Sequence, residues 1–329
     1  MRSQKNFLRG IMVSGLFLFL LSCPLQAFSQ DFPAKPITIY CGFSAGATTD
    51  LSARALADAG QKKLGVPVVV ENKPGGGATV AATLLANQKP DGYTLAVISS
   101  SALDTRHMML NVAYDPFKDF TYILSYARYI GGICVKTDSP YKNIQDLIEA
   151  ARKNPGALTY SSSGTGATQQ LAVEFLGKQA KVKFKHVPFK GGAPASTALI
   201  GGHVDFTAGA GIHRTYAKQG VFRMLALTIS SGKKDPEFPD VPTLEDLGYK
   251  DVPPALYVLL GPRGLPDPIF KKLEASFRQG VYSPEFQNIL KNLGIPFDFK
   301  DRKQLEAEIP ENYKFHAELL KEIGVKTRK

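Results

Sequence analysis

The sequence lacks several features on which common protein functions depend. Its 329 residues contain no Trp, three Cys and five His, and the His residues show no spacing typical of metal ligands. It contains no P-loop, H-E-x-x-H or G-x-S-x-G motif. The pair Gly164 and Gly166 lacks the third glycine of a dinucleotide fingerprint, because position 169 is Gln. We therefore expect no metal, no cofactor and no enzymatic activity.

Long apolar runs are also scarce. The longest, residues 11–21, follows three basic residues and is shorter than the roughly 20 residues of a membrane span. This pattern predicts that residues 1–30 are a secretory signal peptide, with cleavage after Ser29. A competing hypothesis is lipoprotein processing, in which Cys23 carries the lipid. Both hypotheses predict that the mature chain is exported.

Positive charge is in excess but not concentrated. The formal net charge is +11, and removal of residues 1–30 takes away three positive charges and leaves +8. No stretch interleaves basic and aromatic residues, as a groove for nucleic acid requires. We therefore expect no nucleic-acid partner, and a modest positive field that attracts small anions.

Two cysteines remain after export, Cys41 and Cys134. An oxidising compartment permits a disulfide between them. Both lie in apolar, strand-like runs, which favours buried free thiols, with a disulfide as the alternative.

Strand-like and helical segments alternate along the chain. Residues 37–41 and 93–98 are typical of strands, and the residues between them are typical of helices. Near-continuous apolar strands separated by helices favour a parallel sheet covered on both faces. A second alternating set begins near residue 131, and the tail from Pro268 is mostly helical, with a final helix kinked at Pro310. The pattern predicts two α/β domains followed by helices.

Two loops of small residues occupy equivalent places in the two halves. Residues 42–49 and 162–168 each join a predicted strand to a predicted helix. Exposed N–H groups and the helix dipole favour an anion at a helix N-terminus, by ~0.3–1 kcal/mol and up to ~2 when partly buried. Two such ends that face each other could hold a carboxylate without an Arg. The alternative is that Gly and Ser only fill tight turns.

Other residues near strand ends are weaker candidates. Ser100 and Ser101 follow a third strand, and Gly209 follows another, although both patterns are also common in ordinary turns. Asp50 follows the first loop, and we expect its carboxylate to face the backbone rather than act in acid–base chemistry. An exported hydrolase with Ser163 or Ser100 as nucleophile is a competing hypothesis.

In these and further segments the sequence resembles the Bug-type solute receptors of tripartite tricarboxylate transporters. The matching runs are residues 35–38, 43–54, 68–75, 90–95, 114–120, 154–156, 163–167, 186–191 and 239–243. They follow the family's order over nearly all of the mature chain.

The resemblance implies a type II-like periplasmic-binding-protein fold, in which two α/β domains enclose a ligand cleft. It implies a first, discontinuous domain of residues 31–130 plus 256–329 and a second of residues 131–255. It also implies that a ligand carboxylate binds the two loops through backbone N–H groups and bridging waters. The implied binding residues are Phe43, Ser44, Ala45, Gly46, Ala47, Thr48 and Thr49 with Ser163, Gly164, Thr165, Gly166, Ala167 and Thr168.

The sequence departs from the family pattern at several positions. Gln170 stands where many members have His, Leu256 where Trp is usual, with Tyr257 beside it, and Gly209 where many have an acid. Because an acid would suit a ligand amine, its absence argues against an amino-acid ligand.

We expect a monomeric periplasmic receptor, not an enzyme. It would close over a di- or tricarboxylate or an aromatic carboxylate and deliver it to the permease subunits of a tripartite transporter. A receptor that presents the ligand to a membrane signalling system is an alternative.

Overall fold

The computed structural model describes residues 32–228, 235, 237–250, 255–325 and 327. The expected signal peptide, its cleavage site after Ser29 and the alternative lipidation site Cys23 lie outside these residues. Among the helices of the described ranges, none is both long enough and apolar enough to cross a bilayer.

Strands and helices alternate through most of the described chain. The strands are β1 (Ile37–Cys41), β2 (Val68–Asn72), β3 (Thr94–Ser99), β4 (Phe120–Arg128), β5 (Gly131–Lys136), β6 (Thr159–Ser162), β7 (Lys185–Pro188), β8 (Phe206–Ala210), β9 (Phe222–Thr228), β10 (Leu256–Pro262) and β11 (Phe297–Asp301). The helices are α1 (Thr48–Leu64), α2 (Thr79–Ala86), α3 (Thr105–Met109), α4 (Ile144–Lys153), α5 (Thr168–Gln179), α6 (Gly192–Ile200), α7 (Ile212–Lys218), α8 (Asp267–Val281), α9 (Pro284–Asn292) and α10 (Arg302–Glu322). Short 3-10 turns lie at Gly76–Ala78 and Ser100–Ala102.

The strands form two sheets. The first has the order β11-β4-β10-β3-β1-β2, and the second has the order β7-β6-β8-β5-β9. Strands β1, β2 and β3 are parallel, as are β6, β7 and β8. Strand β10 runs antiparallel to β3 and β4, and β5 runs antiparallel to β8 and β9. The prediction of parallel sheets is therefore confirmed for β1–β3 and β6–β8 and wrong for the other strands, because an apolar run reports burial on both faces but not the direction of its neighbours.

The chain passes between the sheets at two places. It leaves the first sheet after Arg128 and enters the second at Gly131. It leaves the second sheet after Thr228 and rejoins the first at Leu256. Both sheets belong to one compact unit, residues 35–329. The predicted domain bounds at residues 131 and 255 stay a prediction.

Local sequence signals account for several helix ends. Helix α4 begins with a capping box, in which Asn143 and Asp146 exchange side-chain and backbone hydrogen bonds. The predicted final helix is present as α10, which continues through Pro310. Strand β11 was missed because the tail was read as helical, and its five residues are only half-buried.

Each sheet is packed into apolar cores that include its covering helices. One core of the second sheet joins Ile133, Leu147 and Phe206, and one core of the first joins Ile98, Val258 and Ile309. Both remaining cysteines are buried free thiols, as favoured from the sequence. Burial raises the pKa of Cys41 and of Cys134 to about 12, so both stay protonated.

Candidate functional site

A cavity lies where the ends of the two sheets meet. An inner chamber of about 70 Å³ is lined from the first sheet's elements and from the second sheet's elements. An outer cleft of about 490 Å³ adjoins it, and both share Phe43 and Ser163 as lining residues. The inner chamber is smaller than the ~150 Å³ cavity that holds a benzene molecule. It therefore fits a head group, and the rest of a larger ligand would extend into the outer cleft.

The first loop, residues 42–47, joins β1 to α1. Its last residue, Ala47, is the N-cap of α1 and offers the helix no side-chain hydrogen bond. The carboxylate of Asp50 turns back to accept a hydrogen bond from the Gly46 N–H at 2.9 Å. This confirms the expectation that Asp50 faces the backbone.

The charge of Asp50 is compensated locally. Arg54 lies 3.0 Å from its carboxylate, and the Asn72 side-chain amide donates to it at 2.7 Å. Although burial opposes the effect, these hydrogen bonds from Asn72 and Arg54 hold the pKa of Asp50 below its usual value. The first loop therefore carries an ionised acid whose partners are already in place.

The second loop, residues 163–167, joins β6 to α5. Ala167 is the N-cap of α5 and again supplies no side-chain hydrogen bond. The side-chain carbonyl of Gln170 accepts from the Gly166 N–H at 2.7 Å. Gly166 O in turn accepts from the Thr105 hydroxyl at 2.6 Å, so α3, which follows β3 of the first sheet, holds the second loop.

The predicted site residues fall into three groups. The inner chamber is lined by Phe43, Ala47, Thr48, Thr49, Ser101, Ser163, Ala167, Thr168 and Gly209. The outer cleft is lined by Phe43, Ser44, Ser163, Gly164 and Thr165. Neither lining includes Ala45, Gly46, Ser100 or Gly166. The structure thus brings residues of both loops together around one chamber, and their contact with a ligand stays a prediction.

The residues outside the linings have structural contacts instead. Ser100 is buried, and its hydroxyl accepts from the Leu256 N–H at 3.0 Å at the start of β10. Gly166 is packed against Arg106. Ala45 and Gly46 are exposed to solvent.

Sequence reasoning missed several lining residues. Besides Ser99, Ala210 and Tyr257, which adjoin positions that the sequence singled out, the inner chamber is lined by Arg106, Tyr129, Gln169, Gly192, Ala193, Ile212 and Ala255. Tyr129 lies between β4 and β5 and stacks on Tyr257 with ring centroids 3.9 Å apart and an interplanar angle of 8°. Its hydroxyl is 2.9 Å from the Thr49 hydroxyl. This aromatic pair lies at a passage between the sheets, and the only signal for it was Tyr257 beside Leu256.

Gly209 faces a histidine at close range. A Cβ at this position would lie 2.0 Å from Cε1 of His213, so the imidazole fills the space of any side chain there. His213 is buried, and its ring nitrogens lie 3.0 Å from the Thr207 hydroxyl and 3.3 Å from Ala210 O. Burial lowers the pKa of His213 to about 4, so the ring is neutral at neutral pH.

Ser163 and Ser100, the candidate nucleophiles of the hydrolase hypothesis, form no hydrogen bond with a histidine in the described part of the chain. Two other serines do: the Ser162 hydroxyl is 2.7 Å from Nε2 of His186, and the Ser196 hydroxyl is 3.4 Å from Nε2 of His213. Burial lowers the pKa of His186 to about 4. Ser162 is fully buried and is in neither cavity lining. The pair of Ser162 and His186 therefore supports the second loop from beneath rather than facing the chamber.

Comparison with known proteins agrees with this geometry. The family model of the tripartite tricarboxylate transporter family receptor matches residues 52–325. A Cupriavidus necator protein described as lying in the gbd 5′ region is 35% identical over 316 residues, which is 96% of each chain. The structure of the periplasmic binding protein BugD matches with a TM-score of 0.82 and 31% identity, over 90% of this chain and 99% of that one. A Rhodopseudomonas palustris protein solved with adipate matches with a TM-score of 0.84 and 26% identity, over 90% and 99% of the two chains.

The expected periplasmic-binding-protein fold, with its α/β sheets around a cleft, is thereby confirmed. The chain belongs to the tripartite tricarboxylate transporter receptor family, whose members are solute-binding receptors.

Proposed function

We propose that this protein is a periplasmic receptor that binds a small organic dicarboxylate and delivers it to the membrane subunits of a tripartite transporter. The observation that carries the proposal is the inner chamber, which is lined by the N-terminal ends of α1 and α5 from the two sheets. Neither N-cap side chain occupies its own helix end. Helix N-termini with free donors favour an anionic group.

The size of the cavities supports a carboxylate with an extended body. A carboxylate head group fits the inner chamber of about 70 Å³, and a chain or ring would continue into the wider outer cleft. The relative solved with adipate has the same architecture. A straight-chain dicarboxylate is therefore the class that we favour.

An amino acid is disfavoured by the chemistry around Gly209. A ligand ammonium group needs an acid or several acceptors, and none of the described residues that line the inner chamber is Asp or Glu. The space above Gly209 holds His213, which burial keeps neutral. A neutral ring that already has two partners offers no countercharge to an amine.

Ligand capture would proceed by closure of two lobes. The chamber takes its lining from both sheets, so a ligand in it contacts both and stabilises the closed arrangement. We place the hinge at the passages between the sheets, where Tyr129 stacks on Tyr257. Binding and release of the ligand require no chemical turnover. We also infer that the protein acts as a monomer.

The test is a thermal-shift screen of protein that has been unfolded, washed free of bound solute and refolded. The probes are succinate, adipate, citrate and benzoate, with adipamide, aspartate and glutamate as controls. A ligand at 100 times its dissociation constant stabilises the folded state by about 2.7 kcal/mol. We expect a larger shift with a dicarboxylate than with adipamide at the same concentration. A protein that no organic acid stabilises, or that prefers the amino acids, would refute the proposal.

A further inference from the structure

Arg106 is a cation inside the chamber that the sequence patterns did not reveal. It follows β3 on the short helix α3, is 2% exposed and lines the inner chamber. Two glycines make room for it. A Cβ at Gly77 would lie 2.0 Å from Arg106 Nε, and one at Gly166 would lie 2.8 Å from Arg106 Cγ.

The guanidinium donates only to neutral acceptors. Nη1 donates to Gly77 O at 2.8 Å and to the Ser101 hydroxyl at 2.7 Å, and Nε donates to Thr165 O at 3.3 Å. Nη2 donates to none of the residues that the structure describes. It lies on the side of Gly164, 3.9 Å from where a Cβ of that residue would be.

No described carboxylate forms a salt bridge with Arg106, although the charge of Asp104 acts on it at longer range. Among the described residues, no carboxylate lies within 4.0 Å of the Arg106 nitrogens. The neighbouring Asp104 accepts from the Thr105 N–H and lies 3.3 Å from His316. Burial lowers the pKa of Arg106 to about 10, which still leaves it protonated at neutral pH. A buried charge is costly unless it is paired, so the chamber lacks one negative group.

We propose that Arg106 forms a salt bridge with the carboxylate of the bound ligand and is the residue that selects an anion over a neutral molecule of the same shape. This inference rests on the proposed function. It deepens the proposed function, because helix ends alone offer partial charges, whereas Arg106 offers a full charge on a buried side chain. The same side chain also donates to Thr165 O in the second loop, so the anion would bind where α3 already holds the two sheets together.

Other cations near the site are less suitable. Lys190 lines the outer cleft but is exposed, so water screens its charge. Arg54 is engaged by Asp50. A distal carboxylate near Lys190 would therefore gain little, and the head group in the inner chamber would gain most.

The experiment compares the charged and neutral forms of one ligand in matched variants. Affinities for adipate and for adipamide are measured by calorimetry in wild type, R106Q, R106K and R223Q. Arg223 is the control, since it also donates to backbone carbonyls (Thr137, Ser139 and Tyr141) but lies outside both cavities. Circular dichroism establishes that each variant is folded.

We expect R106Q to weaken adipate by at least about 30-fold and to change adipamide by less than about threefold. R106K keeps the charge without the planar fork, so its preference for adipate over adipamide falls but stays above that of R106Q. R223Q changes neither affinity. If R106Q does not fold, the fall of this preference in R106K is the criterion.

Two results would overturn the inference while leaving the proposed function intact. In one, R106Q binds adipate as wild type does. In the other, R106Q or R106K weakens adipate and adipamide by the same factor, which is the signature of a structural role. If wild type binds none of the carboxylates in the thermal-shift screen, the proposed function fails, and this inference falls with it.

Discussion

The two loops that line the chamber have similar sequences but opposite electrostatics. Each ends in a helix whose N-cap is an Ala, and in each a glycine N–H donates to a side chain four residues ahead. In the first loop that side chain is Asp50, an ionised acid with Arg54 as partner. In the second it is Gln170, which is neutral, and the nearby charge is the cation Arg106. The first loop is thus balanced before a ligand arrives, and the second is not.

The loops also differ in exposure. Ser44, Ala45 and Gly46 are exposed, whereas Gly166 is buried between Arg106 and α5. A small-residue loop at a helix N-terminus therefore has no fixed role, because its partners come from elsewhere in the fold. In this protein the second loop lies against the buried cation Arg106 of α3, whereas the first loop lies against the ion pair of Asp50 and Arg54.

The sharpest comparison is between the glycines at matched positions. Gly46 and Gly166 both have a positive φ, +77° and +73°. Nothing lies within 4 Å of a Cβ at Gly46, so G46A adds only backbone strain of about 1 kcal/mol. A Cβ at Gly166 would lie 2.8 Å from Arg106 Cγ and 3.3 Å from its Cα, so G166A also displaces the arginine and costs about 3 kcal/mol. Urea unfolding of the ligand-free variants measures both losses. Equal losses would mean that the second loop moves away freely.

Asp50 and Gln170, which accept hydrogen bonds from the loop glycines, are expected to differ less in their contribution to stability. D50A removes a buried carboxylate that serves Gly46, Arg54 and Asn72, and we expect a loss of about 2 kcal/mol in unfolding free energy. Q170A removes one neutral acceptor from Gly166, with an expected loss of about 1 kcal/mol.

The unfolding free energies of D50A and Q170A, measured in low and high salt, distinguish loss of a charged acceptor from loss of a neutral one. The cost of D50A should fall with salt, because Arg54 is half exposed, and that of Q170A should not. A salt effect of the same size in both variants would contradict the view that the side chain bonded to Gly46 is charged and the one bonded to Gly166 is neutral.

Much of the site could be predicted from the sequence because its signals are local. Small residues between a strand and a helix, such as Ala47 and Ala167, are contiguous in the chain, and their α/β setting follows from apolar periodicity. The order of the sheets was not predictable in this way. The insertion of β10 between β3 and β4 depends on pairing across more than 120 residues.

The charged part of the site could not be predicted for a related reason. Arg106 belongs to no motif, and its helix has five residues, too few for a clear periodic signal. Its importance arises because Gly77 and Gly166, distant in sequence, both leave space around it. Likewise, the sequence indicated only that position 209 lacks an acid. The structure adds that the His213 ring occupies the space that a side chain at Gly209 would need.

The smallest expected difference between the two halves is their response to mild acid. The second half holds His186 and His213, whose pKa values burial lowers to about 4, while the unfolded value is near 6.5. The unfolded state therefore binds more protons below pH 6.5, and stability falls as the pH drops from 6.5 towards 4. For His213 the expected loss between pH 7.5 and pH 5.5 is about 1 kcal/mol. In the first half, the lowered pKa of Asp50 affects stability only below about pH 4.

Urea unfolding of wild type and H213N at pH 7.5 and pH 5.5 tests this difference. Asn retains a polar side chain near Thr207 but does not titrate, so H213N should lose less stability than wild type between the two pH values, by about 1 kcal/mol. D50N should lose as much as wild type over this range, because Asp50 stays ionised throughout it. An undiminished pH dependence in H213N would show that protons are taken up elsewhere. The neutrality of the ring beside Gly209, on which the exclusion of amino acids depends, would then lose its support.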